Sequence, residues 1–469
     1  MILAAIFSST NSAKAQDISP DNTLPNNSQI NLENNITEIT GGTQRGGNLF
    51  HSFEKFGIPT GAEAHFENNL DINNIINRVT GGNISNIDGL IKANGTANFF
   101  LINPNGIVFG ENGRLDIGGS FVGTTADALR FGEDNFFSAS NPESSSELLS
   151  INPNALFFNQ INPSAAIENN SVAPLGLEDT TLVNPTTGEF TESFTPKGLQ
   201  VDDGKSLLLV GSNVTMNGGG LVAKEGNLEL GGLAATGTVG LNSDGNNFSL
   251  SFPEGVEKSN VTLTDGAGVI VAASDGGSIA VNARNLEMSE ESLLLAGIDT
   301  RLGDEQSSAG NIDINVTDAI VLKDKSRISN SILTEARGQG GDINISTNSL
   351  LLETGAAVDA STSGEGNAEN LTVNANDVQV IGRSLDGEFV SLLSTVTFST
   401  GNGGNLNINT NSLLIQDGAF VGTGTVGEGN AGNLTVNASD VQVIGESLDG
   451  ELKRKIVTES DCTGNRETA

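Results

Sequence analysis

Apolar and polar residues alternate with a period of two through much of the second half of this 469-residue chain. In AGNIDINV, Ile312, Ile314 and Val316 fall on one side and Asn311, Asp313 and Asn315 on the other, the pattern of a half-buried strand. The phrase returns as EGNLEL at 225, GGSIAVNA at 276, AGNIDINV at 309, GGDINIST at 340, AENLTVNA at 368, GGNLNINT at 403 and AGNLTVNA at 431. From 276 onward successive starts lie 33, 31, 28, 35 and 28 residues apart, and 338–388 is duplicated as 401–451 at an offset of 63. A second apolar run follows each phrase, as at 319–322, 350–352 and 413–415, and then a weaker third. Three strands in about thirty residues make one coil of a stacked β-solenoid. A helical reading fails, because Gly, Asn, Val and Thr dominate where strong helix formers are needed. The expected fold class is all-β: a right-handed parallel β-helix with an N-terminal cap and hairpins outside the helix.

The N-terminal part carries the same short apolar runs without the phrase. Residues 68–120 contain Ile75-Ile76, Val79, Ile84, Ile87, Leu90-Ile91, Leu115 and Ile117, separated by Gly and Asn, as successive inward faces with polar corners. In NFFLINPNGIVFG the runs 99–102 and 107–109 flank Asn103-Pro104-Asn105-Gly106. Pro104 presets the first central position of a β-turn, Asn103 caps it with its side chain, and Gly106 closes it without steric cost. Upstream, 16–35 is polar and turn-rich and reads as the cap that covers the first rung. Residues 121–200 have less pattern and contain Pro142, Pro153, Pro163 and Pro174, so a partly looped junction is expected there.

Composition narrows the picture. The 59 glycines and the absence of Trp and Tyr argue against several conventional cores built on large aromatic side chains. A stacked aliphatic core remains. With 57 acidic against 22 basic residues the formal charge is −35, a field that repels nucleic acid and anionic lipid and reads as a solvated acidic surface. Cys462 is the only cysteine, so no internal disulfide framework exists. Ile2 to Phe7 followed by Ala13-Lys14-Ala15 before Gln16 reads as the remnant of a signal peptide, with its start expected upstream of Met1. No stretch is long and apolar enough to span a bilayer as a helix.

The region from Gly47 to Ala126, GNLFHSFEKFGIPTGAEAHF through NIINRVTGGNISNIDGLIKANGTANFFLINPNGIVFGENGRLDIGGSFVGTTA, resembles the N-terminal secretion domain of filamentous-haemagglutinin-type exoproteins, the passengers of two-partner secretion. The family's NPNGI motif is matched by Asn103, Pro104, Asn105, Gly106 and Ile107. Its upstream NPNL motif is not matched, and the echo INPNALFF at 151–158 lies downstream instead. The resemblance implies that these five residues form a secretion motif. It also implies export to the cell surface or medium through a cognate outer-membrane β-barrel transporter with POTRA domains. The passenger is then expected to be a monomeric, adhesin-like, non-enzymatic exoprotein without cofactor or metal, meeting a surface ligand that is either carbohydrate or protein. The division expected is a signal-peptide remnant at 1–15, a secretion domain at 16–165, a junction at 166–200, a repeat passenger at 201–451 and an irregular tail at 452–469. That tail breaks the duplicated unit and reads as a cap or an altered reading frame.

GTGTVG at 422–427 fits a dinucleotide pattern, but no helix-forming segment follows it. His51 and His65 stand beside phenylalanines and read as structural or surface residues. A β-helical polysaccharide lyase or hydrolase is the alternative function, with Asp202, Asp203 and Lys205, or Lys323, Asp324, Lys325 and Arg327, as candidate clusters. No cleft and no accompanying aromatic residues are expected at either.

Overall fold

The computed structural model describes residues 17–142, 150–185, 187–188, 190–245, 247–445 and 455–460. The signal-peptide remnant at 1–15 and Cys462 lie outside the described residues. No α-helix occurs among those described, and the chain winds as a parallel β-helix with three faces.

The first face is the one the repeated phrase builds. Leu228 pairs with Ile279, Ile279 with Ile312, Ile312 with Ile343, Ile343 with Leu371, Leu371 with Leu406 and Leu406 with Leu434, all parallel and in register. Because side chains alternate, this register aligns one aliphatic column inside and one polar column outside. The second face stacks Ser85–Ile87, Ile107–Phe109, Ile167–Asn169 and Asn213–Asn217, then the second apolar run of each repeat up to Asp440–Ile444. A third face closes the triangle, with nine parallel strands from Leu199–Gln200 to Lys455–Ser460 in its C-terminal part. The segment expected to be an irregular tail thus contributes a strand, in line with Phe420–Thr425. A β-branched stretch needs only the neighbour's backbone to pair, whatever its side-chain phrase.

The corners explain the Asn and Gly content. Asn370 Nδ2 donates to Asp342 Oδ1 at 3.1 Å, Asn405 Nδ2 to Asn370 Oδ1 at 2.8 Å and Asn433 Nδ2 to Asn405 Oδ1 at 3.1 Å, a hydrogen-bonded ladder one rung per step. At another corner Gly366, Gly401 and Gly429 take φ of 148°, 130° and 147°, and a Cβ on each would come within 2.0 Å of a carbonyl oxygen on the rung below. Only glycine permits both that backbone and that approach.

Three departures from the sequence expectations stand out. Residues 121–201 are not a junction between domains but one coil carrying two insertions: Phe121–Thr124 is its first-face strand, Ile167–Asn169 its second and Leu199–Gln200 its third. The first insertion supplies Ala128–Phe131, Asn135–Ser138 and Ala155–Phe158 to an antiparallel sheet completed by Gly237–Asp244 and Asn247–Ser251. The second is a hairpin of Thr180–Val183 and Phe190–Phe194. The antiparallel sheet lies against the outside of the first face, where Phe50, Ile76, Phe100, Val122 and Leu208 meet Leu129, Phe137, Leu156 and Phe248. Those first-face strands are therefore covered on both sides, which is why NFFLI has no alternation. Phenylalanine, finally, does build a core, but only in the first coils, where Phe53, Phe66, Phe99, Phe109 and Phe121 make ring contacts inside the helix. Ile84, expected inward, is 46% exposed and precedes its strand.

Since each coil contacts chiefly its neighbours, damage should stay local. Leu371→Ala is expected to cost about 2–5 kcal/mol. Hydrogen exchange should show lost protection in the strands holding Ile343 and Leu406, with that around Leu207 unchanged.

Candidate functional site

The Asn98–Ile102 and Ile107–Phe109 strands sit on adjoining faces, and the NPNG tetrapeptide makes the corner between them. Gly106 N donates to Asn103 O at 3.1 Å, closing the expected β-turn with Pro104 and Asn105 at its centre. Asn103 Oδ1 accepts from Asn105 N at 3.0 Å, the side-chain cap read from the sequence. Gly106 has φ 121°, and a Cβ there would approach Ala166 O to 3.1 Å.

Most of the corner's polar capacity is spent on neighbouring coils. Toward the preceding coil, Asn103 Nδ2 donates to Asn83 O at 3.0 Å and to Ser85 Oγ at 2.9 Å, and Asn105 Nδ2 donates to Gly81 O at 2.9 Å. Ser85 N donates to Gly106 O at 3.1 Å. Toward the following coil, Asn103 N donates to Thr124 O at 2.9 Å and Ile107 N to Ala166 O at 3.1 Å. Asn103, Gly106 and Ile107 are fully buried, while Pro104 and Asn105 are half-buried. The motif is a three-coil clamp rather than a displayed epitope.

That clamp continues into the N-terminal cap. One residue from Gly81, Thr80 Oγ1 donates to Asp21 Oδ2 at 2.6 Å, as Ser52 Oγ does at 2.6 Å. Burial would raise the Asp21 carboxyl, but hydrogen bonds from Ser52, Thr80 and Thr23 outweigh it and hold it below its ordinary value. Arg78 lies alongside. Its Nε donates to Ser52 Oγ at 2.7 Å, Nη2 to Thr23 Oγ1 at 2.8 Å and Nη1 to Ser138 O at 2.7 Å, with the guanidinium 4.3 Å over the Phe137 ring. Burial pulls Arg78 down to about 10 against the raising field of Asp21. One side chain thus ties the cap, two coils and the outer sheet together. The sequence carries a signal for it, a lone Arg in the apolar run NIINRV, that no motif marks.

His51 is buried in the same region. Its Nδ1 lies 3.0 Å from Ser28 Oγ, which accepts Ser52 N–H, so the Ser28 hydroxyl is free to donate to the ring. Burial lowers His51 to about 3, so the imidazole is neutral. His65 is half-buried with Nε2 3.0 Å from Asn94 Oδ1.

The two clusters considered for enzyme chemistry fare differently. Asp202, Asp203 and Lys205 form a tight turn, where burial and then the Glu225 charge raise the Asp203 carboxyl. At the other, the expectation of no cleft is corrected: Lys325 and Arg327 line a cavity of about 500 Å³ together with Phe194 and Phe389. The phenylalanines come from the inserted hairpin and a corner loop, 131 residues before Lys325 and 64 after it, which no local spacing reveals.

Comparison with known proteins gives the following. A family model of the TPS secretion domain matches residues 16–281, past the expected boundary at 165 and into the repeat coils. A Heme/hemopexin-binding protein of Haemophilus influenzae is 38% identical over 86 residues, 18% of this chain, and the match spans only 9% of that relative's length. Among solved structures, the HMW1 secretion domain from Haemophilus influenzae aligns at 17% identity and TM-score 0.46, over 91% of this chain and 99% of that one. A filamentous hemagglutinin secretion domain aligns at 11% identity and TM-score 0.27, over 92% and 100%.

The His51 environment sets a pH dependence. An unfolded histidine titrates near 6.5 and His51 near 3, so between these values the unfolded chain binds the extra proton. The His51 contribution to stability is complete above about pH 6.5 and is lost as the pH drops toward 3; Glu229 acts in the opposite sense, since burial raises its carboxyl to about 7 and the folded chain then holds the extra proton below that value. On going from pH 7 to pH 4 the urea midpoint of the native chain should move toward lower urea relative to that of His51→Gln, while the more acidic loss due to Asp21 is common to both.

Proposed function

Because the chain belongs to the TPS secretion domain family, whose members cross the outer membrane through a cognate transporter to the cell surface or medium, we propose that Asn103 to Ile107 form its secretion motif. The motif acts by setting rung geometry in the first coils. What supports this is the inward direction of its bonds: both asparagine amides donate to the preceding coil, and Asn103 N and Ile107 N to the following one. A residue so engaged offers little to a receptor directly, but it decides whether the strands around it present a fixed edge.

The transporter in this reading is a β-barrel with periplasmic POTRA domains. The chain passes it unfolded and the helix forms outside, each completed coil templating the next. Beyond the first coils the passenger is an adhesin-like, non-enzymatic rod that acts as a monomer on a surface ligand. The binding named for the Haemophilus influenzae relative is not assigned to this chain, since the match covers so little of that protein.

Asn105→Ala removes the bond to Gly81 O and leaves the repeat coils untouched. It is expected to lower the amount of protein outside the cell severalfold while the purified passenger keeps the β-rich circular dichroism of the native chain. Secretion equal to the native chain would overturn the assignment of the motif, and adhesion of the purified chain to host cells would test the adhesive role separately.

A further inference from the structure

The cavity beside the inserted hairpin runs along the helix axis. Its floor is a single column of third-face residues, Gly220, Gly268, Leu293, Arg327 and Ala357, each paired with the next. At the usual strand separation, four steps make a trough about 19 Å long. The hairpin forms one wall with Leu182, Phe194 and Pro196, and corner loops form the other with Glu291, Lys325, Glu388 and Phe389. The hairpin is fixed in place: Arg327 Nη1 donates to Val183 O at 2.8 Å, Thr180 Oγ1 to Asp299 Oδ2 at 3.3 Å and Asn184 Nδ2 to Glu388 O at 3.3 Å.

The charges restrict what fits. Arg327 is held by Asp359 through Nε–Oδ1 at 2.6 Å and Nη2–Oδ2 at 2.8 Å, with Ser329 and Ser331 also bonded to that carboxylate. Lys325 Nζ lies 2.6 Å from Asp386 Oδ2 and 3.7 Å from Glu291 Oε1. Lys325 and Arg327 are therefore neutralised within the protein; Lys197, the remaining lining cation, is exposed, and Glu291 and Glu388 stand in a chain of net charge −35. A polyanion is disfavoured in such a place. What remains is a trough with two phenyl rings, carboxylate acceptors, an ammonium donor and a length of several coils.

We propose that this trough is a binding site for a linear, neutral polysaccharide. The apolar faces of successive sugar rings would lie on Phe194 and Phe389, and their hydroxyls would exchange hydrogen bonds with Glu291, Glu388 and Lys325. This names the ligand class of the adhesive passenger proposed above and rests on that reading. Binding is without cleavage.

Gly268 provides a clean test. It has a negative or extended φ, and a Cβ there meets only Ile270 Cδ1 at 3.7 Å and Cγ1 at 4.0 Å, ordinary contact. Gly268→Val therefore fills the trough floor with little strain. Isothermal titration of the secreted full chain with cellopentaose, maltopentaose and mannopentaose, with trigalacturonate as the charged control, is expected to show binding of at least one neutral probe and none of the control. Gly268→Val should weaken it by about tenfold or more, equivalent to ~1.4 kcal/mol, and Phe389→Ala should also weaken it. The melting temperature of Gly268→Val should match that of the native chain. No binding of any neutral probe, undiminished binding by Gly268→Val, preference for trigalacturonate, or release of reducing ends would each overturn the proposal. If the native chain adheres to host cells yet binds no neutral probe, the trough is ruled out as the site while the adhesive reading stands.

Discussion

The in-register parallel backbone ladder is the constraint from which the rest of this molecule follows. Every coil must return to the same corner, so inward positions align into aliphatic columns such as Ile312, Ile343, Leu371 and Leu406. The corners then bring backbones together closely enough that Gly366, Gly401 and Gly429 recur where a Cβ would collide with the rung below. Asparagine fills the outer corners because one amide both donates and accepts along the axis, so Asp342, Asn370, Asn405 and Asn433 satisfy one another coil by coil. Large aromatic residues are dispensable inside the helix once a column is established, and the ring contacts within it, from Phe53 to Phe121, belong to the first coils.

Starting such a ladder is the harder problem, since an uncovered first rung exposes both an edge and an end of the core. The chain solves it with antiparallel strands, Ile18–Pro20 and Thr43–Arg45 against Asn48–Phe56, and a hairpin of Ser28–Glu33 and Ile36–Gly41 over the third face. Arg78, Asp21 and Thr80 bind this cap to the coils, and Gly81 hands the network on to Asn105. The NPNGI turn is thus the point where the cap, the first coils and the coil with the two insertions are joined.

How much of this was readable in the sequence depended on whether the signal was periodic. The phrases from 276 onward gave strand, face and register, because period-two alternation fixes which side is buried. The turn at Asn103 to Gly106 was equally legible, since each residue type meets a stated backbone demand. Interactions between distant segments left no local mark: the pairing of Phe121 with Leu207 skips 86 residues, so the coil between them read as a junction. The outer sheet hid the alternation of NFFLI by burying both sides. Arg78 makes sense only once Thr23, Ser52 and Ser138 surround it, and the trough only once the hairpin crosses five strands.

In the proposed reading the N-terminal region addresses the chain to its own transporter and the remainder follows as a surface-assembled β-helix. The most direct measurement is export of the full chain, fused to a signal peptide, from a Gram-negative host that carries or lacks the cognate outer-membrane transporter. β-rich protein is expected outside the cell only when the transporter is present. Equal amounts outside in both hosts, or retention in the periplasm of both, would contradict it.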